Sequence, residues 1–173
     1  DATRWQTLGG DWVHEQGRLE QKLDGATRCA LKLLDNVPRN FDATIRFTTL
    51  GGSKWRSVGL SFDVAQQDPM RPTADAENDI NVYVSAFADG SKVQASYIRD
   101  GKWQYPAGNA VRSMPIQLNQ EYSLRVQVRD NLLNASLNDE PLIAWEIPVP
   151  RRDGSLQVIT FDALAVIHEV TIR

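Results

Sequence analysis

Apolar and polar residues alternate along most of this chain. In ATIRF, Ala43, Ile45 and Phe47 fall on one side and Thr44 and Arg46 on the other. SVGLSFDV sets Val58, Leu60, Phe62 and Val64 against Ser57, Gly59, Ser61 and Asp63. EYSLRVQVRD sets Tyr122, Leu124, Val126 and Val128 against Ser123, Arg125, Gln127 and Arg129. A period of two marks a strand with one face on a core and the other toward water. INVYVSAF, KVQASYI, LLNASLN, LIAWEI, SLQVITF and VIHEVTI read as further strands. LGG, ADG, RDG and LNDEP separate them as turns, the last predicting a hairpin. RCALKLL suits either a strand or one helical turn, and no window sustains helical spacing.

Roughly ten or more short strands without helices predict an all-β protein of two packed antiparallel sheets, or a barrel. The polar exception is QQDPMRPTADAEN, residues 66–78, which reads as a long surface loop of the kind that often carries function. No repeat or linker interrupts the pattern, so one domain is expected over residues 1–173.

Composition narrows the picture. The 173 residues, 42% hydrophobic and 24% charged, suit a single domain with a substantial core. The net charge of -3 and the scattered basic residues give no electrostatic case for nucleic acid. No apolar run approaches the ~18 residues of a membrane span. Cys29 is the only cysteine, which leaves no internal disulfide and no cysteine cluster for zinc. Its apolar neighbours predict a buried, inert thiol. The opening residues, DATRWQ, do not read as a leader, which fits a mature chain, a cytosolic one or a domain of something larger.

Four stretches carry a family resemblance. GGDWVHEQGRLEQ resembles the opening of concanavalin A-like jelly rolls, a Gly-x-Trp strand, a Gly turn and a second strand. FDATIRFT followed by SVGLSFDV resembles their paired core strands. YSLRVQVRDNLLNASLNDEPLIAWEI resembles the long strand and Asn-containing hairpin, and GSLQVITFDALAVIHEVTIR the closing pair. The likeness covers nearly the whole chain and is nearest to laminin-G-like domains and the 3-keto-disaccharide-hydrolase-like group. SVGLSFD, VYVSAF and KVQASY also resemble a domain embedded in large secreted bacterial proteins with cytochrome c-like modules. The resemblance implies a two-sheet antiparallel jelly-roll sandwich, a secreted, periplasmic or cell-surface location, and sugar binding by a concave sheet face and its edge loops. Some members are glycosidases, and many bind a structural calcium. Fold alone does not choose among these roles.

Catalysis finds little support in the residues. Glycoside hydrolysis normally uses two carboxyl groups flanking the bond. Some glucanases of this fold carry Glu-x-Asp-x-Glu on a strand; here ENDIN gives Glu77 and Asp79, then Asn81 where the second Glu would stand. An amide cannot serve as a general acid, so acids closing a loop beside a strand are the plainer account. His14 and His168 lie near opposite ends of the chain in no catalytic or metal motif. No catalytic residue is assigned, although a glycoside hydrolase of the same fold stays open as an alternative.

Binding is better served. Sugar rings lie on Trp or Tyr faces while their hydroxyls pair with Asn, Gln, Asp and Arg. Alternation puts Asn81, Tyr83 and Ser85 on one face of their strand and Lys92, Gln94 and Ser96 on one face of the next; Ser61 and Asp63 extend that polar surface. DGKWQYPAGN then places Trp103 and Tyr105 in a Gly- and Pro-rich segment after a strand. The expected ligand-binding residues are Asp63, Asn81, Tyr83, Lys92, Gln94, Trp103 and Tyr105, and the expected partner is a polysaccharide or oligosaccharide. Two other readings stay open: the polar face is simply solvated, with Trp103 folded over a core edge, or the aromatic patch docks onto neighbouring domains of the same chain. Trp5, Trp12 and Trp145 are expected in the core or at its ends, while Trp55 is undecided. Asp75, Glu77 and Asp79, with Asn78, offer oxygen ligands of the kind calcium prefers, but not in a known loop spacing. No metal is expected there and no cofactor elsewhere, with a structural calcium in the sandwich left open.

Overall fold

The computed structural model describes residues 2–15, 17–65, 79–99 and 101–173, and within them the alternating segments are strands. In chain order they are β1 (Trp5–Leu8), β2 (Trp12–Glu15), β3 (Arg18–Gln21), β4 (Arg28–Leu33), β5 (Phe41–Gly51), β6 (Ser57–Val64), β7 (Ile80–Ser85) and β8 (Lys92–Arg99). They continue as β9 (Lys102–Gln104), β10 (Val111–Ser113), β11 (Glu121–Arg129), β12 (Leu132–Leu137), β13 (Glu140–Glu146), β14 (Ser155–Phe161) and β15 (Leu164–Ile172). Among the described residues the only helical pieces are 3-10 turns at Ala2–Arg4 and Gly108–Ala110. RCALKLL resolves as strand β4, and LNDEP turns the β12–β13 hairpin. The expected loop at residues 66–78, with Asp75, Glu77 and Asn78, lies outside the described residues.

Two antiparallel sheets face each other. One runs β1-β4-β14-β6-β7-β8-β10, with β9 also paired to β8, and has eight strands; the other runs β13-β12-β11-β5-β15-β3-β2 and has seven. Their inner faces supply the core predicted from alternation. Ile45 and Phe47 of β5, Leu124 and Val126 of β11 and Leu133 of β12 meet Val58 and Leu60 of β6, Val82 of β7 and Val158 of β14, all fully buried. Phe41 and Phe62 meet edge to face, with ring centroids 5.2 Å apart. Trp145 is buried and stacks on Tyr97, while Trp5 and Trp12 pack against the core from its rim. Each fully buried Phe, Leu or Val contributes about 1.5–3 kcal/mol.

The outer face of the eight-stranded sheet departs from expectation. Period-two reading makes it a wet face, yet every residue of β6 is buried. Ser61, Asn81, Ser96 and Gln157 are as inaccessible as the core. The register sets these four side by side on one row across β14, β6, β7 and β8. Buried polar groups require partners; Ser61 and Asn81 find them in each other and in Asp79, while Ser96 Oγ and Gln157 Oε1 find none among the described residues.

Candidate functional site

A cavity of about 640 Å³ opens on that outer face. Its floor is built where β14, β6, β7 and β8 present successive outward residues. One row runs Phe161, Ser57, Ser85 and Lys92; the next runs Ile159, Gly59, Tyr83 and Gln94. Gly59 is required there. A Cβ on it would fall 2.1 Å from the Val82 carbonyl oxygen and 2.7 Å from Tyr83 Cβ. The Tyr83 hydroxyl donates to Gln94 Oε1 at 2.9 Å. Burial, with the Tyr105 phenol adding to it, pushes the Tyr83 pKa well above the ordinary tyrosine value, so this hydroxyl keeps its proton.

Aromatic rings wall the cavity on two sides. On one stand Trp103 and Tyr105, their rings nearly parallel at 11° with centroids 6.2 Å apart. Trp103 belongs to β9, a three-residue strand that pairs with β8 through Ile98, so it sits on a sheet edge rather than in a loop. Trp55 forms the other wall, resting on Phe87 at 4.8 Å with the Lys54 ammonium over its ring. Trp55 and Trp103 stay 38% and 39% exposed and Tyr105 60%, so the rings are open to a ligand.

Beneath Trp103 lies a buried ion pair. Arg28 reaches across the floor, its guanidinium carbon 5.8 Å from the Trp103 ring. Its Nη2 stands 2.6 Å from Asp79 Oδ2, with side-chain exposures of only 4% and 0%. The same nitrogen donates to Ser61 Oγ at 2.8 Å. Ser61 Oγ in turn lies 2.9 Å from Asp79 Oδ2 and 2.8 Å from Asn81 Oδ1, and Asn81 donates its amide to Asp79 Oδ1 at 3.2 Å. Asp79, read from sequence as an acid closing a loop, is thus the counter-charge of this network.

The structure brings Asn81, Tyr83, Lys92, Gln94, Trp103 and Tyr105 together around one cavity. Asp63 is not among them. A register shift in the β6–β14 pairing and a φ of 55° turn it out of the alternation. Arg151 holds its carboxylate at 2.5 and 2.9 Å while also donating to the Asp130 and Arg39 carbonyls. Asp63 ties strand ends together instead of facing the cavity. Arg28, Ile159 and Phe161, which sequence reading missed, also line it, as do Trp55, left undecided, and Ser57 and Ser85, read on the outward face but not named as ligand-binding. For Ser57 and Ser85 the parity signal was present, since each falls in phase with residues that were singled out.

Among the described residues no pair of carboxylates lines the cavity, and Asp79 is sealed beneath it. Among the described residues no three His, Cys, Asp or Glu side chains gather as metal ligands. His168 is held on the other sheet, its Nε2 2.9 Å from Thr48 Oγ1.

No protein-family model and no curated protein sequence matches the chain. Solved structures do resemble it. A carbohydrate-binding module, CBM66, from Bacillus subtilis superimposes with a TM-score of 0.80 at 20% identity, covering 98% of this chain and 95% of its own. The carbohydrate recognition domain of Emp46p, in a potassium-bound form, gives 0.71 at 14% identity over 98% and 88%. A galectin of Caenorhabditis elegans, LEC-6, gives 0.60 at 12% identity over 93% and 99%. The chain has the concanavalin A-like jelly-roll fold.

Proposed function

We propose that this domain is a non-catalytic carbohydrate-binding module, one unit of a larger extracytoplasmic protein. The observation that carries the reading is the pair of open aromatic walls, Trp55 on one side and Trp103 with Tyr105 on the other, set over a floor of Asn, Gln, Ser and Tyr. Ring C–H patches pack on the indoles, and hydroxyls exchange hydrogen bonds with Gln94, Ser57 and Ser85. Sugar-binding domains among its structural neighbours, the B. subtilis module included, support the same reading. The test is titration against a panel of soluble polysaccharides, with reducing-sugar release followed in parallel. Saturable binding without release supports the reading. Release that survives purification assigns a hydrolase instead.

A further inference from the structure

Among the described residues that line the cavity, Arg28 and Lys92 are the charged ones, and no Asp or Glu is found there. Lys54 adds a third cation at the rim, its ammonium 4.8 Å from the Trp55 ring. The protein as a whole carries a net charge of -3, so this positive sign is local.

The two lining cations occupy one row of the sheet, which the register traces as Arg28, Phe161, Ser57, Ser85 and Lys92. They therefore bracket the floor from four strands apart, about 19 Å between Cα atoms at the usual ~4.8 Å strand spacing. Arg28 is matched in charge by Asp79, yet its buried Nε and Nη1 find no partner among the described residues. The Lys92 ammonium has no hydrogen bond and no ion pair among the described residues, although the residue is half-buried. Asn, Gln, Ser and Tyr side chains suffice to recognise a neutral sugar. An unpaired ammonium held at a partly desolvated wall adds recognition of negative charge, because its attraction for an anion is screened less there than in open water.

Resting on the carbohydrate-binding reading, we propose that the cavity takes an anionic sugar, a ring bearing a carboxylate or a sulfate, with the charged group at Lys92. Arg28, neutralised by Asp79, braces the floor beneath the Trp103 ring. The ring lies against the Trp103 wall.

The experiment titrates the folded domain with polygalacturonate, dextran sulfate, a set of neutral polysaccharides including dextran, and polyglutamate as a polyanion without sugar. Each is measured at about 50 and about 300 mM salt, which shortens the screening length by roughly 2.5-fold. At low salt, at least one anionic polysaccharide is expected to bind about tenfold or more tightly than the neutral set, as a charge-assisted contact allows. That preference should shrink at high salt. Lys92→Gln should bring it close to parity and flatten the salt dependence, while Lys92→Arg should restore it. Lys22→Gln removes the same charge from the other sheet and should change nothing. Which anionic polymer binds identifies carboxylate or sulfate.

Neutral polysaccharides bound as tightly as the anionic ones overturn the anionic inference and leave carbohydrate binding intact. A preference that survives Lys92→Gln, or equal binding of polyglutamate, overturns it too. No binding to any polysaccharide overturns both readings.

Discussion

Asp162 accepts the backbone N–H of Trp55 at 2.6 Å across 107 residues of chain. The same carboxylate accepts the N–H groups of Ser53 and Lys54 and the Ser53 hydroxyl, at 3.0, 2.6 and 2.7 Å. One side chain in the β14–β15 turn thereby shapes the turn that presents the Trp55 wall. Burial alone would raise the Asp162 pKa, but the hydrogen bonds from Ser53, Trp55 and Lys54 outweigh it and hold the carboxyl below the ordinary 3.8.

Asp162→Asn keeps a residue that tolerates the φ of 51° while removing the charge and one acceptor oxygen. It should cost about 1–3 kcal/mol, a fall of roughly 3–10 °C in melting temperature. The effect depends on pH in a fixed direction. A folded-state pKa below the unfolded one gives stability that is complete above the unfolded value and lost as pH falls through the folded one. The gap between wild type and variant should therefore be full at neutral pH and narrow on acidification below the ordinary carboxylate range. A gap constant down to about pH 3 would count against the assignment.

Trp103→Ala should weaken glycan binding by about one to a few kcal/mol, as for an interface anchor. Its ring is more than a third exposed and leans mainly on Tyr105 and Arg28, so the melting temperature should move little. Trp55→Ala should behave in the same direction. Calorimetric titration and thermal unfolding on each variant separate the two effects, and a destabilised protein with unchanged affinity would remove Trp103 from the site.

Arg28→Met leaves Asp79 buried without its cation and should cost about 3–5 kcal/mol. Adding Asp79→Asn removes the uncompensated charge while preserving hydrogen bonding to Ser61 and Asn81, so the double variant should recover much of that loss. Urea unfolding of both single variants and the double measures the coupling. A double variant no more stable than Arg28→Met alone would contradict the ion-pair account.

Gly59→Ala drives a methyl group into the Val82 carbonyl and Tyr83. Overpacking of this kind typically costs about 1–3 kcal/mol, and backbone contact puts this case at the upper end. The melting temperature should fall by at least about 5 °C. An unchanged value would mean that β6 and β7 lie farther apart than described.

How much of this was legible in the sequence follows from what alternation encodes. Parity fixes the face of a strand, so Asn81, Tyr83, Lys92 and Gln94 were placed together correctly from their phase against Val82, Val84, Val93 and Ala95. Parity does not fix position along the strand or the effect of a bulge, and Asp63 was drawn to Arg151 for that reason. It says nothing about what covers a face, so a buried polar surface read as a wet one. Trp103 read as a loop residue because a three-residue strand is too short to show a period. Trp55 was left undecided because Asp162, which places it, is distant in sequence. Arg28 went unnoticed because its partner, Asp79, lies on a segment that runs into a different strand.

The placement of β14 also governs how the protein is made. It lies between β4 and β6, and β15 lies between β3 and β5, so strands that follow all their neighbours in the sequence fill the interior of both sheets. Until Ser155 and the residues after it leave the ribosome, β4 and β6 each present an unpaired edge. Such contacts, far apart in sequence, place folding in the slow regime of milliseconds to seconds and leave sticky strand edges bare in the meantime. The cavity, whose floor needs Ile159 and Phe161, therefore comes into being only once β14 has joined its sheet.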